Sequence, residues 1–249
     1  MIRLVRRAAP PKLDPSFVAV GTAKFASDGT AVWTVREIKD ALSEMSHSKC
    51  AYCEIALGTG STYLEVEHVF AKTHHPYKVL EWENLLPTCR RCNGTKSDWD
   101  VAVVGQVMID PVRDVPKEHF RLDEAYRPVG KTEAGKNSII EIGLDDIIRL
   151  GVPRYKLGEQ FKRKLEELYN QYYHLPHHAT VRQRRDIIRR IKAALRKSHE
   201  DEPFSAVIAT VIERSDAFHL LKAKMVEVGD WDDELSSSEL LAQGSSLAN

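Results

Sequence analysis

Apolar residues recur at helical spacing in several places along the chain. Ile38, Ala41, Leu42 and Met45 predict a helix that starts near Thr34 and ends close to Ser46-His47-Ser48. Thr34-Val35-Arg36-Glu37 fits a capping box at its start. Three further amphipathic stretches follow. The first carries Leu157, Phe161, Leu165, Leu168 and Tyr172, and the second Ile187, Ile188, Ile191, Ala194 and Leu195. The third carries Phe204, Val207, Ile208, Val211 and Ile212, then Phe218, Leu221 and Met225. Pro176 and Pro203 separate them. Tyr169, Tyr172 and Tyr173 share this spacing and read as packing residues, and His177-His178 as a turn joining helices. A helical region opens over residues 137–150.

Shorter patterns predict strands. Val101–Val104 and Gln106–Ile109 read as a strand or hairpin closed by Asp110-Pro111. Short strands are expected at His119–Leu122 and Ala125–Arg127. Pro10-Pro11, Pro15, Gly21 and Gly29 mark residues 1–30 as an extended arm with room for one short strand. The Ser-rich tail, 236–249, reads as polar and mobile. The expected organisation is an arm (1–30), a core holding the unusual residues (31–110), a mostly helical region (111–235) and the tail (236–249). The fold class is α+β, mainly helical.

Composition sharpens this. With 249 residues, of which 43% are hydrophobic and 29% charged, the chain supports one large domain or two small ones. No apolar run approaches the ~20 residues of a membrane helix, and no apolar signal core follows the basic Met1–Arg7, so a cytoplasmic protein is expected. Lys plus Arg number 36 and Asp plus Glu 36, which argues against a polycationic wrapper of nucleic acid but leaves local patches open. Such a patch exists in sequence: between Arg154 and Lys197 basic residues dominate, opposed only by Glu159, Glu166, Glu167 and Asp186. From Glu200 onward acids dominate, ending in Asp230, Asp232, Asp233, Glu234 and Glu239. The Arg-rich helix 182–197 fits three roles: tracking a nucleic-acid backbone, a solvated face, or pairing with the acidic tail or an acidic partner.

The cysteines come as two pairs, Cys50/Cys53 and Cys89/Cys92. A disulfide scaffold would be smaller and richer in Cys. Two C-x-x-C turns supply four thiolates to one tetrahedral ion, a closed structural zinc site. The loop between the pairs is long for a zinc ribbon, and it carries chemistry. Glu67 offers a carboxylate to Mg²⁺ or Mn²⁺, and the adjacent His68 an imidazole that takes a proton from water. Asn93 offers an amide oxygen as a second ligand, although Asn93-Gly94 is also a common turn pair. Asn84 either fixes the His68 ring by a hydrogen bond or caps a turn. Lys96, with Arg90 and Arg91, is a phosphate-binding candidate. His74 and His75 read as loop residues.

The order Glu67-His68, Asn84-Leu85, Cys89-x-x-Cys92-Asn93-x-x-Lys96 resembles the HNH endonuclease motif in its zinc-stapled, H-N-N form. The resemblance covers residues 50–98. It implies a β-hairpin followed by a helix around one catalytic Mg²⁺ or Mn²⁺. In it, His68 is the general base, Glu67 and Asn93 are metal ligands, Asn84 orients the histidine, and zinc is structural. Glu67 stands where Asp or His is commoner. The implied activity is metal-assisted phosphodiester hydrolysis of DNA or RNA.

Softer motifs extend the likeness: Arg3-Leu4-Val5-Arg6-Arg7 with Pro10-Pro11, Asp110-Pro111 through Glu118-His119-Phe120, and Glu141-Ile142-Gly143-Leu144. These resemble the HNH subunit of Septu-type anti-phage systems, which also occurs beside retrons. That implies a partner, an ABC/SMC-like ATPase that restrains the nuclease until infection. The N-terminal arm then reads either as a docking segment or as a plain disordered terminus. Two rival readings stand beside this one. A non-catalytic zinc-ribbon module has no need of Glu67, His68 and Asn93. A stand-alone restriction or homing nuclease needs base-reading residues, for which no recognition module is visible.

Overall fold

The computed structural model describes residues 1–60, 62–176 and 179–248. The chain forms two compact units, Met1–Phe120 with Pro128–Asp146, and Arg121–Arg127 with Ile147–Asn249. No helix among the described residues is long and apolar enough to cross a membrane. The His177-His178 turn lies outside the described residues.

In the first unit, helix α1 (Pro15–Asp28) occupies much of what the sequence marks as an extended arm. Asp14 caps it by accepting from the Ser16 and Phe17 N–H groups, Pro15 opens it, and left-handed Gly29 closes it. Pro and Gly here are helix punctuation and not loop formers. Only Gly21 of this helix is buried, so its apolar periodicity is faint. The residues before it are extended but not loose. Met1, Ile2 and Leu4 are buried. The Leu4 N–H donates to the Pro111 carbonyl at 2.8 Å. Arg6 donates to the Leu85 carbonyl at 2.6 Å, and the Trp82 indole N–H to the Arg7 carbonyl at 2.7 Å.

Helix α2 (Arg36–Met45) follows, and the expected capping box does not form. Thr34 sits in a 3₁₀ turn (Val32–Thr34) and its hydroxyl donates back to the Ala31 carbonyl, which leaves Val35 as an uncapped entry residue. The predicted face is correct: Ile38, Leu42 and Met45 are buried, and α2 packs on the hairpin of β1 (Leu64–His68) and β2 (Leu85–Cys89). Burial of each such side chain contributes about 1.5–3 kcal/mol. β1 and β2 are antiparallel, with Leu64 opposite Cys89 and His68 opposite Leu85. Helix α3 (Arg90–Lys96) continues directly from β2 and packs on both strands and on α5 (Glu133–Ile142).

The strand or hairpin expected over Val101–Ile109 is absent, and residues 101–105 form turns. The Trp99 indole N–H donates to the Gln106 carbonyl, the Gln106 side-chain oxygen accepts from the Asp100 N–H, and Asp100 also caps Ala102. These polar closures curl the segment and leave Val104 fully exposed. Past a short helix α4 (Pro116–His119), β3 (Phe120–Leu122) lies where a strand is expected. The next strand, β4 (Pro128–Gly130), is displaced from Ala125–Arg127, because Asp123 caps a turn through Ala125 and Arg127.

The second unit is helical: a π-turn (Ile147–Gly151), α6 (Val152–Tyr173), α7 (Val181–Leu195), α8 (Ser205–Arg214), α9 (Asp216–Glu227) and α10 (Asp233–Ser245). α8 is its centre, since every residue from Ser205 to Ile212 is buried. The third predicted helix is therefore two, broken at Ser215, whose hydroxyl caps α9 by accepting from the Phe218 N–H. The Ser-rich tail is not mobile coil. Asp232 caps α10, Leu235 and Ala242 bury one side of it, and the Leu247 N–H donates to the buried Thr210 hydroxyl at 3.0 Å. Tyr172 is buried as packing requires, whereas Tyr173, expected to pack beside it, is exposed.

Candidate active site and zinc centre

Cys50, Cys53, Cys89 and Cys92 are all buried, with their sulfur atoms within 4.8 Å of one another. The first pair sits in a tight turn ended by left-handed Glu54 (φ 64), whose N–H donates to the Cys50 carbonyl. The Ala51 N–H donates to the Pro87 carbonyl at 2.8 Å, tying that turn to β2. The second pair spans the β2–α3 junction, Cys89 ending the strand and Cys92 lying in the first helical turn. Burial pushes the Cys50 thiol well up, so holding it there as a thiolate requires a cation beside it. A closed set of four soft sulfur donors fits tetrahedral zinc. An ion there fixes the strand-to-helix corner that carries Asn93.

His68 ends β1 and is 3% exposed. Its Nε2 lies 3.1 Å from the Val79 carbonyl, and its ring stacks edge-on against Trp33 with centroids 4.6 Å apart. A carbonyl can only accept, so Nε2 carries the proton and Nδ1 keeps its lone pair. Burial lowers the His68 pKa to about 4, with Lys72 and Lys96 adding to the effect. The ring is thus neutral at neutral pH, the form that can take a proton.

Asn84 does not reach the His68 ring directly. Its Oδ1 accepts from the Phe70 N–H at 2.7 Å, and its Nδ2 donates to the Phe70 and Lys78 carbonyls. Its own carbonyl accepts from the Val69 N–H. Asn84 thereby staples the loop that presents the Val79 carbonyl to His68. Of the two sequence readings the turn-shaping one holds, and the expected hydrogen bond to the His68 ring is replaced by a hold on the loop whose Val79 carbonyl meets that ring.

The acidic side differs from expectation. Glu67 is 2% exposed and pairs with Lys96, whose Nζ lies 2.7 Å from Glu67 Oε1 and also donates to the His68 carbonyl at 2.9 Å. Burial raises the Glu67 carboxyl pKa against the opposing pull of Lys96. Lys96 is therefore not a phosphate-binding residue, because its ammonium is enclosed and spent on β1. Arg90 and Arg91 are exposed on the first turn of α3. Asn93 Nδ2 donates at 2.8 Å to Glu65, two residues before Glu67 on β1 and on the same strand face.

Glu65 and Lys72 are the residues that sequence reasoning missed. The i, i+2 spacing of Glu65 and Glu67 on a strand was the available signal for the first. Lys72, half-buried, places its Nζ 5.8 Å from the centre of the Trp33 ring and exerts its charge on both Glu67 and His68. The Tyr52 hydroxyl is buried, finds no hydrogen-bond partner among the described residues and feels the Glu67 charge. His75 is more than a loop residue, since it bridges Asp100 Oδ2 (2.9 Å) and the Tyr77 hydroxyl (3.0 Å).

The Glu67–Lys96 pair yields a stability prediction. Lys96→Met leaves a buried carboxylate uncompensated and should cost about 3–5 kcal/mol, read as a lowered urea midpoint. Adding Glu67→Gln should recover most of the loss. A midpoint unchanged in the single variant would show that the ammonium is not needed there.

Residues 50–98 match the HNH endonuclease family. Septu protein PtuB of Bacillus thuringiensis is 34% identical over 236 residues, which cover 94% of this chain and 90% of that one. This chain belongs to the Septu PtuB family. A second PtuB, from Bacillus mycoides (strain KBAB4), is 26% identical over 115 residues, 35% of this chain and 39% of that protein. The hairpin, zinc-type corner and helix that carry Glu67, His68, Asn84 and Asn93 are thus the HNH domain of a PtuB-family protein, and its mainly helical α+β fold holds the four-cysteine cluster inside that domain.

Proposed function

We propose that the chain is a metal-dependent endonuclease that hydrolyses nucleic-acid phosphodiester bonds as the effector of a cytoplasmic anti-phage complex under the control of an ATPase partner. The observation that carries the catalytic part is the fixed tautomer of His68: Nε2–H held by the Val79 carbonyl, Nδ1 without a hydrogen-bond partner among the described residues, and the ring neutral.

His68 Nδ1 takes the proton from an attacking water. Asn84 positions it through the loop. Trp33 covers the ring and keeps it from turning. Glu67, Glu65 and the Asn93 amide oxygen form a set of hard oxygen donors. Glu67 Oε1 is buried and, apart from its ion pair with Lys96, accepts no hydrogen bond among the described residues, so the set suits Mg²⁺ or Mn²⁺. An ion held by Glu67 and Asn93 supplies charge stabilisation at the phosphate. Lys72, with exposed Arg90 and Arg91, is the cation set available to the scissile strand in place of Lys96. Family membership and the balanced net charge support delivery to the substrate by a partner, since a chain of zero net charge gains little from unaided electrostatic search.

The test is incubation of the purified protein, alone and together with a candidate ATPase partner, with DNA and RNA under Mg²⁺, Mn²⁺ or EDTA. Cleavage that EDTA abolishes is expected. No cleavage of either polymer in any combination would overturn the reading.

A further inference from the structure

The helical unit holds a cavity of about 870 Å³ whose wall is the basic face of α7. Arg184, Arg185, Arg189, Lys192 and Arg196 line it, opposite Asp230, Asp232 and Glu234. Those acids occupy two of the cations at close range, while Arg189 pairs with Asp186 and Arg196 with Asp201. Asp230 accepts from Arg184 Nε at 2.5 Å and from the Tyr172 hydroxyl at 2.6 Å. Lys192 Nζ lies 2.5 Å from both Asp232 Oδ2 and Glu234 Oε2. Arg185 is exposed and has no acidic partner among the described residues.

We infer that this groove is a binding site for the sugar–phosphate backbone of a single-stranded nucleic acid, masked by the Asp230–Glu234 segment acting as an internal stand-in for phosphates. Asp230 and Asp232 lie on non-helical backbone just before α10. Two residues of extended chain span about 7 Å, comparable to the step between successive phosphates of a single strand. From Arg184 to Arg196 α7 rises about 18 Å, long enough to meet several phosphates in a row. The row consists mainly of guanidinium groups, which favour phosphate through paired hydrogen bonds. The strap covers the cavity through ion pairs that are exposed at Asp232 and Glu234 and half-covered at Asp230 and Lys192, and the exposed ones are of the kind that salt or a competing polyanion displaces. An incoming strand exchanges three carboxylates for phosphates and adds Arg185, which the strap leaves unmet.

The experiment measures the affinity of the full chain for a fluorescent single-stranded oligonucleotide across salt concentrations. A His68→Ala background without added Mg²⁺ or Mn²⁺ removes cleavage and keeps the structural zinc, so the outcome does not depend on the nuclease reading. Asp230→Asn with Asp232→Asn and Glu234→Gln frees two cations, while the amide oxygen placed at position 232 can still cap α10. Binding should tighten and the slope of log K against log salt should steepen by about 1.4, at ~0.7 per phosphate met. Adding Arg185→Ala and Arg189→Ala should remove a similar amount. A control with the same charge change, Glu213→Gln with Asp216→Asn and Glu227→Gln, should leave the slope near wild type. If the strap variant folds poorly, Arg185→Ala with Arg189→Ala in the intact chain still gives the test as weakened binding. Equal slopes for strap and control variants, no weakening from the two Arg substitutions, or a groove that takes an acidic peptide and not the oligonucleotide, would each overturn the inference.

Discussion

Replacing His68 with alanine should lower phosphodiester cleavage by about 10²–10⁴-fold, the usual contribution of a positioned general base. The substitution removes the lone pair on Nδ1 that the Val79 carbonyl keeps available by holding Nε2–H. It also removes a ring buried against Trp33, so a loss of stability is expected beside the loss of rate. The two effects separate in one protein preparation. Zinc content should stay at one ion per chain and the thermal unfolding profile should keep the wild-type shape, while single-turnover cleavage falls. Equal cleavage by wild type and variant would remove His68 from the mechanism and leave the Glu67–Lys96 side of β1 as the place to look.

Cys50→Ser or Cys92→Ser should have the larger structural effect. Structural zinc in small peptide domains contributes an apparent ~10–16 kcal/mol at neutral pH, and there the ion is a condition of folding. Here the four sulfurs join the turn at 50–53 to the β2–α3 corner, beside the Ala51–Pro87 hydrogen bond and the Met1–Glu54 ion pair. Each Cys variant is expected to lose its zinc, to become protease-sensitive through residues 50–98, and to lose cleavage as a consequence. Asn93→Ala is the contrast. It sits next to Cys92 but supplies an amide and not a thiolate, so it should keep zinc and protease resistance and lose activity alone. Metal analysis with limited proteolysis reads both. A Cys variant with full activity and no zinc would show that the cluster does not hold the site together.

Much of the site was legible in the sequence because its chemistry is carried by rare residues at fixed spacing. Two C-x-x-C pairs, an adjacent Glu-His, and an Asn one residue past the last Cys specify one hairpin-to-helix corner. The structure brings them together with His68 opposite Leu85 and the cysteines in one cluster. What spacing left open was which polar group meets which. Glu67 and Asn93 read as a pair, yet Asn93 reaches Glu65, and Glu67 is met by Lys96. The side-chain period of a strand says that 65 and 67 share a face, but not which of them α3 will reach, because that depends on how the helix crosses the hairpin.

Among the helices the same division holds. Long apolar stripes located α2, α6 and α7, since a buried face leaves its period in the sequence. Helices with little buried surface, or with small polar residues in their buried face, left none. α1 buries only Gly21, and α10 buries Leu235, Ser238 and Ala242 among serines. Their signals were terminal, an Asp before each and Gly29 after the first, and caps satisfy a few N–H groups without revealing what a helix packs on.

By itself the sequence determined the chemistry available: a zinc-type thiolate set, a histidine beside a carboxylate, a basic stretch and an acidic one. Tertiary structure decided how those charges are used. It enclosed Lys96, so that a cation one turn past Asn93 became a strut and not a phosphate ligand. It also laid Asp230, Asp232 and Glu234 along α7. The physical reason is common to both. A residue type fixes the charge a side chain carries, but the partner and the solvent that charge meets are set by contacts between segments far apart in the chain, which no local pattern records.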